Sequence, residues 1–415
     1  MPVSEPYPVL YLDHTAKWSG GEIALLRTLE AIDRTQFTPV VALAEDGPFA
    51  DRLKEIGVEV HILPLAENLR EVRKDSLGGG AFLTKVGAAA AFAGYANTIA
   101  RFARQRRVAI LHCNSLKSDV YGAFAGQVAR IPVLWHVRDH IDPTYLPAKA
   151  VKGFRAMARV LPQYVITNSE STLQKLFPAG SGKMPCRAIY DGLADRELTI
   201  PEPPETMRWK NEVPVVAIVG RLVTWKGQHI FLEAAQRVVD KGIAANFWLI
   251  GGALFGETDY EARLKEIAAP LGEHVKFFGF RSNVSELLQK VDIMVHASIT
   301  PEPFGQVVIE AMAEGVPVIG SDGGGVREII TPGKDGLLAP MGDAEALANE
   351  LVALLKDPVR ANRLARAGHR TVRERFTAAH NARQIEEVYR EMLAKRRTGA
   401  GTRQDNSTSI HREKV

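Results

Sequence analysis

With 415 residues and 46% hydrophobic content, the chain is long enough for two or three domains with ordinary globular α/β cores, which excludes a disordered chain and a single small fold. Its 52 basic and 48 acidic residues nearly balance, so net charge gives no case for nucleic acid as a partner. The two cysteines, Cys113 and Cys186, have no C-x-x-C spacing, and we expect a reducing compartment, the cytosol, rather than a disulfide framework.

The opening Met-Pro-Val-Ser-Glu-Pro has neither a basic nor an apolar leader segment, so secretion is not expected. Strand-like runs follow at Val9 to Leu12, Thr38 to Leu43, Val58 to Leu63, Ile110 to Cys113, Val133 to His136 and Tyr164 to Thr167. The Ala-rich stretch from Ala88 to Phe102 is about 15 residues long, short of the roughly 20 that a spanning helix needs, and reads as a buried or surface-docked helix. Residues 191–214 are polar and Pro-rich (Pro201, Pro203, Pro204) and mark a boundary. Beyond it come Val215 to Val219, Asn246 to Ile250, Val275 to Phe278, Ile293 to His296 and Val316 to Gly320. Strands alternating with helical patterns imply parallel sheets with right-handed crossovers, and two such sets imply two Rossmann-like domains. Ligands of open parallel sheets bind outside the carboxyl ends of the strands, so two facing domains are expected to share one cleft.

The residues after these strands carry the chemistry. Gly20-Gly21 follows the first strand and opens an apolar helix, where it either admits a phosphate to backbone N–H groups or makes a tight turn. No G-x-G-x-x-G or G-x-x-x-x-G-K-[ST] is present, which removes support from NAD and ATP sites. Asn114 and Asp139 close first-half strands and are assigned to an acceptor. His136 ends the Val133 run; four residues separate it from His140, but Val137 replaces the Glu of H-E-x-x-H and the context is a strand, so no metal is expected. Gly220-Arg221 and Lys226 follow the Val215 run, where two cations suit a diphosphate leaving group, the alternative being a solvated pair. Glu302-Pro-Phe-Gly-Gln-Val-Val-Ile-Glu310 sets two carboxylates about a helix mouth, a pattern suited to phosphate and sugar hydroxyls. A mostly helical segment would hold these acids about 12 Å apart, too far for the carboxylate pair of a glycosidase. Lys149, Lys152, Arg155 and Arg159, with Arg101, Arg104, Arg106 and Arg107, form basic clusters that suit either solvent or an anionic membrane surface.

The Glu-x7-Glu element, Gly220-Arg221-Leu222 with Lys226-Gly227, and Asp335-Gly336-Leu337-Leu338 through Asp343 together resemble glycosyltransferase family 4, retaining enzymes of GT-B fold, over nearly the whole chain. The resemblance implies an α/β chain in GT-B architecture: two facing Rossmann-like domains with a cleft between them and a C-terminal helix returning to the first. Residues 1–192 would bind the acceptor and 193–377 the donor, with the helix at about 378–396 and a disordered tail over 397–415. It implies a metal-independent hexosyltransferase without a cofactor, consistent with the lack of Asp-x-Asp, which takes a nucleotide diphosphate sugar as donor and a glycan or glycolipid as acceptor. It would serve surface polysaccharide or glycolipid synthesis in the cytoplasm, including at the inner membrane face. In that family's pattern Glu302 lies near the donor sugar, Glu310 holds the ribose, and Phe304 and Gly305 offer N–H groups to the phosphates. Gly252, Phe280 and Arg281 flank the nucleotide, although Phe280 also suits a core, and His136 positions sugar and acceptor. An epimerase or glycosidase on this scaffold, or a catalytically idle scaffold in polysaccharide assembly, are the alternatives.

Overall fold

A computed structural model of the protein describes residues 5–65, 86–206, 209–253 and 258–408. The chain forms two compact units, one of Met1–Asn168, Thr172–Tyr190 and Ala378–Val415, the other of Ser169–Ser171 and Asp191–Thr377. The chain thus leaves the first unit after Tyr190, where the sequence suggested 192, and re-enters it at Ala378.

The first unit holds a seven-stranded parallel sheet ordered β3-β2-β1-β4-β5-β6-β7, with β1 Tyr7–Asp13, β2 Phe37–Leu43, β3 Glu59–Ile62, β4 Ile110–Cys113, β5 Val133–Val137, β6 Tyr164–Thr167 and β7 Cys186–Ala188. Helices α1 Gly20–Ala31, α2 Pro48–Glu55, α3 Val86–Gln105, α4 Leu116–Ala129, α5 Ala148–Ala158 and α6 Glu170–Leu176 occur along this stretch of chain. Helices cover both faces of the sheet, so its strands are continuous apolar runs rather than alternating ones. Val9 and Tyr11 of β1 pack with Leu25 and Leu29 of α1, while Leu10 and Leu12 face the other way toward Ile99 and Ala103 of α3.

The second unit repeats the plan with six strands ordered β10-β9-β8-β11-β12-β13: β8 Val215–Val219, β9 Asn246–Ile250, β10 Val275–Gly279, β11 Ile293–Val295, β12 Val318–Ser321 and β13 Leu337–Ala339. Its helices are α7 Gln228–Asp240, α8 Thr258–Ala268, α9 Val284–Leu288, α10 Gln306–Ala313, α11 Val326–Ile329, α12 Ala344–Lys356 and α13 Pro358–Arg375. Strand β12 starts two residues later than expected. Pro317 has no N–H for a ladder, and the Val316 N–H is spent on the Ala311 carbonyl at 3.0 Å, closing α10.

Helix α14 spans Ala378–Thr408 and packs within the first unit through Ala382, Ile385, Val388, Tyr389 and Met392. Asn381 accepts from Thr28 at 2.8 Å and Glu386 accepts from the Asp33 N–H at 2.8 Å. Residues 397–408, expected as a disordered tail, are therefore helical: no proline interrupts the i→i−4 ladder between 378 and 408. Residues 409–415 lie outside the described residues.

In both sheets the order reverses beside the first strand, between β1 and β4 and between β8 and β11. Such switch points open a crevice at the carboxyl ends of the strands.

One glycine fixes the turn at the second switch point. Gly227 follows a 3₁₀ turn over Thr224–Lys226, has φ +71°, and a Cβ there would stand 1.9 Å from the Ala297 carbonyl oxygen. Gly227→Ala is expected to cost about 2–4 kcal/mol, from left-handed backbone plus a backbone clash. Urea unfolding measures this; a midpoint equal to wild type would show that the turn relaxes freely.

Candidate active site: two strand-end clusters

In the first unit, β1 ends on Asp13, which is fully buried. Asn114, which follows β4, donates to its Oδ2 at 2.7 Å, and the His14 N–H donates to Oδ1 at 2.7 Å. Burial works to raise the Asp13 carboxyl, but hydrogen bonds from His14, Asn114 and Ser115 and the charge of His14 outweigh it and hold it below the usual range. Arg138, just past β5, donates from Nε to Asn114 Oδ1 at 3.0 Å, and its Nη2 stands 3.2 Å from His136 Nδ1. His136, Asn114, Arg138 and Gly21 thus belong to one polar patch. A Cβ at Gly21 would meet nothing nearer than Arg138 Cδ at 3.8 Å, and its φ is not positive, so neither crowding nor a strained turn demands glycine there. Asp139 is half-buried and accepts from the Tyr145 hydroxyl at 2.5 Å.

His136 was expected to open from the strand end toward a cleft; its side chain is instead fully buried. Its Nδ1 lies 3.1 Å from His112 Nε2, whose Nδ1 lies 2.6 Å from the Tyr389 hydroxyl. Burial first, then the charge of Arg138, holds both imidazoles well below their ordinary value, so both are neutral.

Glu22, beside Gly21, is buried and accepts from the Ser19 hydroxyl. Burial and then the Asp13 charge push its carboxyl up to about 7. Below its ordinary value near 4.5, folded and unfolded chains both hold the proton; between there and 7 only the folded chain does. Stability is thus lost as pH rises through this window, by at most about 3 kcal/mol, and Glu22→Gln is expected to abolish that loss. Urea midpoints from pH 4.5 to 8 test this, and parallel profiles for the two proteins would refute it.

In the second unit, loops after β8, β9 and β10 lie side by side. The Gly220 N–H donates to the Ile250 carbonyl at 2.9 Å and the Gly251 N–H to the Gly279 carbonyl at 3.0 Å. A Cβ at Gly251 would stand 1.9 Å from the Gly220 carbonyl oxygen, so glycine is required for this approach. Gly252 lies beside Phe280 in a looser contact, a Cβ there standing 3.1 Å from the Phe280 backbone nitrogen. Phe280 is 58% exposed, which removes the core reading, and Arg281 beside it is exposed.

Lys226 runs along Gly220 and places Nζ 2.6 Å from Glu302 Oε1. The same oxygen lies 2.9 Å from His296 Nε2 and accepts from the Ser298 hydroxyl. Burial would raise the Glu302 carboxyl, yet Lys226 and then His296 hold it well below the usual carboxylate range. Arg221, half-buried, follows Gly220 and its carbonyl accepts from Gln228 at 2.9 Å. The pairing of Lys226 with Glu302 rules out a freely solvated Lys226.

The loop from Glu302 to Gly305 leads into α10, with Gly305 (φ +115°) at the helix mouth and Glu310 half-buried on its second turn. Phe304 is buried, its ring 5.9 Å from that of Phe376. The loop rests on Gly324 and Gly325: the Gly325 N–H donates to the Glu302 carbonyl at 2.9 Å, and a Cβ at Gly324 would stand 2.2 Å from that oxygen. His296, Ser298, Gly324, Gly325, His112 and Arg138 complete the two clusters and were not assigned to a donor site from sequence. His296 had a legible signal, being a polar residue at a strand's carboxyl end.

Four arginines of the basic clusters have protein partners. Arg155 donates to the Ile141 and Lys175 carbonyls, Arg159 to the Arg155 carbonyl, Arg104 to Val128 and Arg106 to Glu59. Lys149 and Lys152 are exposed. Among the described residues no helix is long and apolar enough to cross a membrane.

Two family models match, a glycosyl transferase 4-like domain over residues 19–177 and glycosyl transferases group 1 over residues 201–371, which together take in most of the chain. The lipopolysaccharide core biosynthesis glycosyltransferase LpsE of Rhizobium meliloti is 31% identical over 185 residues, 44% of this chain and 50% of that protein. The phosphatidyl-myo-inositol mannosyltransferase of Mycobacterium leprae is 35% identical over 166 residues, 40% of this chain and 42% of that protein. The chain therefore spans half or less of the length of these two curated relatives. Among solved structures, Anabaena HepE in complex with UDP-glucose is 26% identical, with a TM-score of 0.76 over 92% of this chain and 99% of that one. Sucrose-phosphate synthase from Thermosynechococcus elongatus, at 20% identity and TM-score 0.74 over 94% of this chain and 100% of that one, is alike in fold. With both family models and the paired Rossmann-like sheets in agreement, the chain belongs to glycosyltransferase family 4 and has the GT-B fold.

Proposed function

We propose that this chain is a retaining, metal-independent hexosyltransferase that uses a nucleotide diphosphate sugar and serves surface polysaccharide or glycolipid synthesis. The observation that carries the reading is Lys226 held on Glu302 beside Gly220, at the switch point of the second sheet and just ahead of the α10 mouth. A fixed cation there suits a diphosphate whose charge grows as the sugar departs. The HepE structure with UDP-glucose and the relatives' names support a nucleotide-sugar donor and glycolipid or polysaccharide products.

In this reading the bond from the anomeric carbon to the β-phosphate oxygen breaks while the acceptor oxygen bonds to the same face. The acceptor's proton passes to the departing phosphate oxygen. Arg221 and Lys226 stabilise the leaving group, Gly220 leaves room on the donor side for the Lys226 stem, and Phe304 and Gly305 bring backbone N–H groups to the phosphates. Glu302 and His136 orient the sugar, Glu310 anchors the ribose, and Gly252, Phe280 and Arg281 flank the base. Gly20 and Gly21 leave room for donor phosphate in the first unit, and Asn114 and Asp139 serve the acceptor.

A thermal-shift series with UDP, GDP and ADP tests the reading. One of them at 100 times its Kd is expected to stabilise the folded chain by about 2.7 kcal/mol, a rise of several degrees. No shift with any of the three would overturn the donor site.

A further inference from the structure

Lys226 has a second partner that the proposed mechanism does not use. Its Nζ stands over the face of the half-buried Trp225 ring, 4.7 Å from the ring centre, as well as 2.6 Å from Glu302 Oε1. The stem of the same lysine runs along Gly220, so a glycine, a carboxylate and an aromatic face confine it, and only 17% of the side chain is exposed. Successive side chains of a 3₁₀ turn diverge by about 120°, so the turn over Thr224–Lys226 does not by itself bring ring and ammonium together. The backbone that carries the ring is fixed too. The Ile299 N–H donates to the Trp225 carbonyl at 2.9 Å, which ties it to the segment running from Ser298 to Glu302.

The two partners act differently on the charge of the lysine. A carboxylate attracts the ammonium and cancels its field. An aromatic ring attracts it through the negative face of its quadrupole and has no net charge, so the field that reaches a neighbouring diphosphate survives. The four-carbon stem of lysine is flexible, and an ammonium released by its carboxylate turns away unless something else holds it. Tryptophan is the strongest ring for that task, and a largely buried ammonium gains more from it than an exposed one.

We propose that Trp225 is a positioning residue of the donor site, whose ring holds the Lys226 ammonium in place for the diphosphate when Glu302 engages the sugar. The role in transfer rests on the proposed reading of Lys226 as the leaving-group cation; the hold of the ring on the ammonium does not.

The hold is tested without substrate by ¹H–¹³C correlation on the full chain labelled at lysine Cε, with the Lys226 signal assigned from Lys226→Met. Protons over a ring face move upfield, so the Lys226 Cε protons are expected upfield of exposed lysines in the wild type. They should stay there in Glu302→Ala, where the ring is the remaining partner, and return to the ordinary lysine position in Trp225→Leu. An ordinary position in Glu302→Ala would show that the carboxylate alone holds Lys226 and would overturn the proposal. Should Trp225→Leu fail to fold, the wild type and Glu302→Ala still decide it.

The positioning role is tested by placing mono-, di- and trifluorotryptophan at residue 225 alone. Fluorine drains the negative face of the ring while its shape hardly changes, so a merely structural ring would leave kcat flat. With UDP-, GDP- or ADP-glucose and no acceptor, kcat for hydrolysis is expected to fall stepwise with each fluorine, by roughly three- to tenfold at the trifluoro ring. KM should change little, since the charge on the diphosphate grows only as the sugar departs. Equal kcat along the series removes the positioning role. A wild type inert toward all three sugar nucleotides would overturn the proposed function, and the positioning role with it, while the hold of the ring on Lys226 would stand on the resonance shifts.

Discussion

Replacing Lys226 by Met is expected to lower nucleotide-sugar turnover by roughly 10²- to 10³-fold, the usual loss when one charge-stabilising donor is removed from an active site. Met keeps the apolar stem that lies along Gly220 and removes only the charge. The same change must also disturb folding, because Lys226 is the partner of a carboxylate that is only 6% exposed. Breaking a buried pair on one side costs about 3 kcal/mol, here moderated by His296 and Ser298, which still face Glu302. Low activity alone would therefore be ambiguous, and a second variant separates the two effects. In Lys226→Met/Glu302→Gln the stranded charge is gone, so most of the stability should return while turnover stays low. Urea unfolding and single-turnover rates on the three proteins decide the matter. A Lys226→Met enzyme within about threefold of wild-type turnover would show that this cation does not stabilise the leaving group.

The two-sheet plan was legible because strands covered on both faces are written as unbroken apolar runs, such as Val133 to Val137 and Val215 to Val219. Strands β7 and β13 were not, since three residues at a sheet edge leave too short a signal. The residue types at the carboxyl ends of strands were legible too, because Gly220 and Asn114 follow apolar runs directly and Lys226 comes within the same loop. Their partnerships were not. Lys226 meets Glu302 across 76 positions and His112 meets Tyr389 across 277, separations at which local sequence says nothing about contact. Gly324 and Gly325 stand in an obvious run of three glycines, yet only the fold shows that the run exists to let the Glu302 loop lie against it. His136 was chosen by its place on the strand, but its neighbours, Arg138 and a His112 that meets a tyrosine from the far end of the chain, are visible only in the fold.

Glu302→Gln is expected to split binding from turnover, in opposite directions. In the ligand-free chain Glu302 neutralises Lys226 at 2.6 Å, so a diphosphate arriving at Lys226 meets a carboxylate of like charge beside its binding cation. Removing that charge should tighten nucleoside diphosphate binding by roughly 1–2 kcal/mol, about five- to thirtyfold in Kd, a gain of the size expected for one charge pair near a protein surface. Turnover should fall at least roughly tenfold, since a sugar that Glu302 no longer orients is misplaced for transfer. The pH dependence of stability changes with it. The Glu302 carboxyl lies well below its ordinary value near 4.5, so its contribution is present above that pH and is lost as pH falls through the window beneath it. Gln has no proton to take up, and the variant should lose less stability than wild type between pH 5 and 3. Calorimetric titration with the diphosphate that gives the largest thermal shift, together with urea midpoints across that range, measures both effects. Weaker diphosphate binding in Glu302→Gln would mean that Glu302 assists the nucleotide directly and does not compete for Lys226.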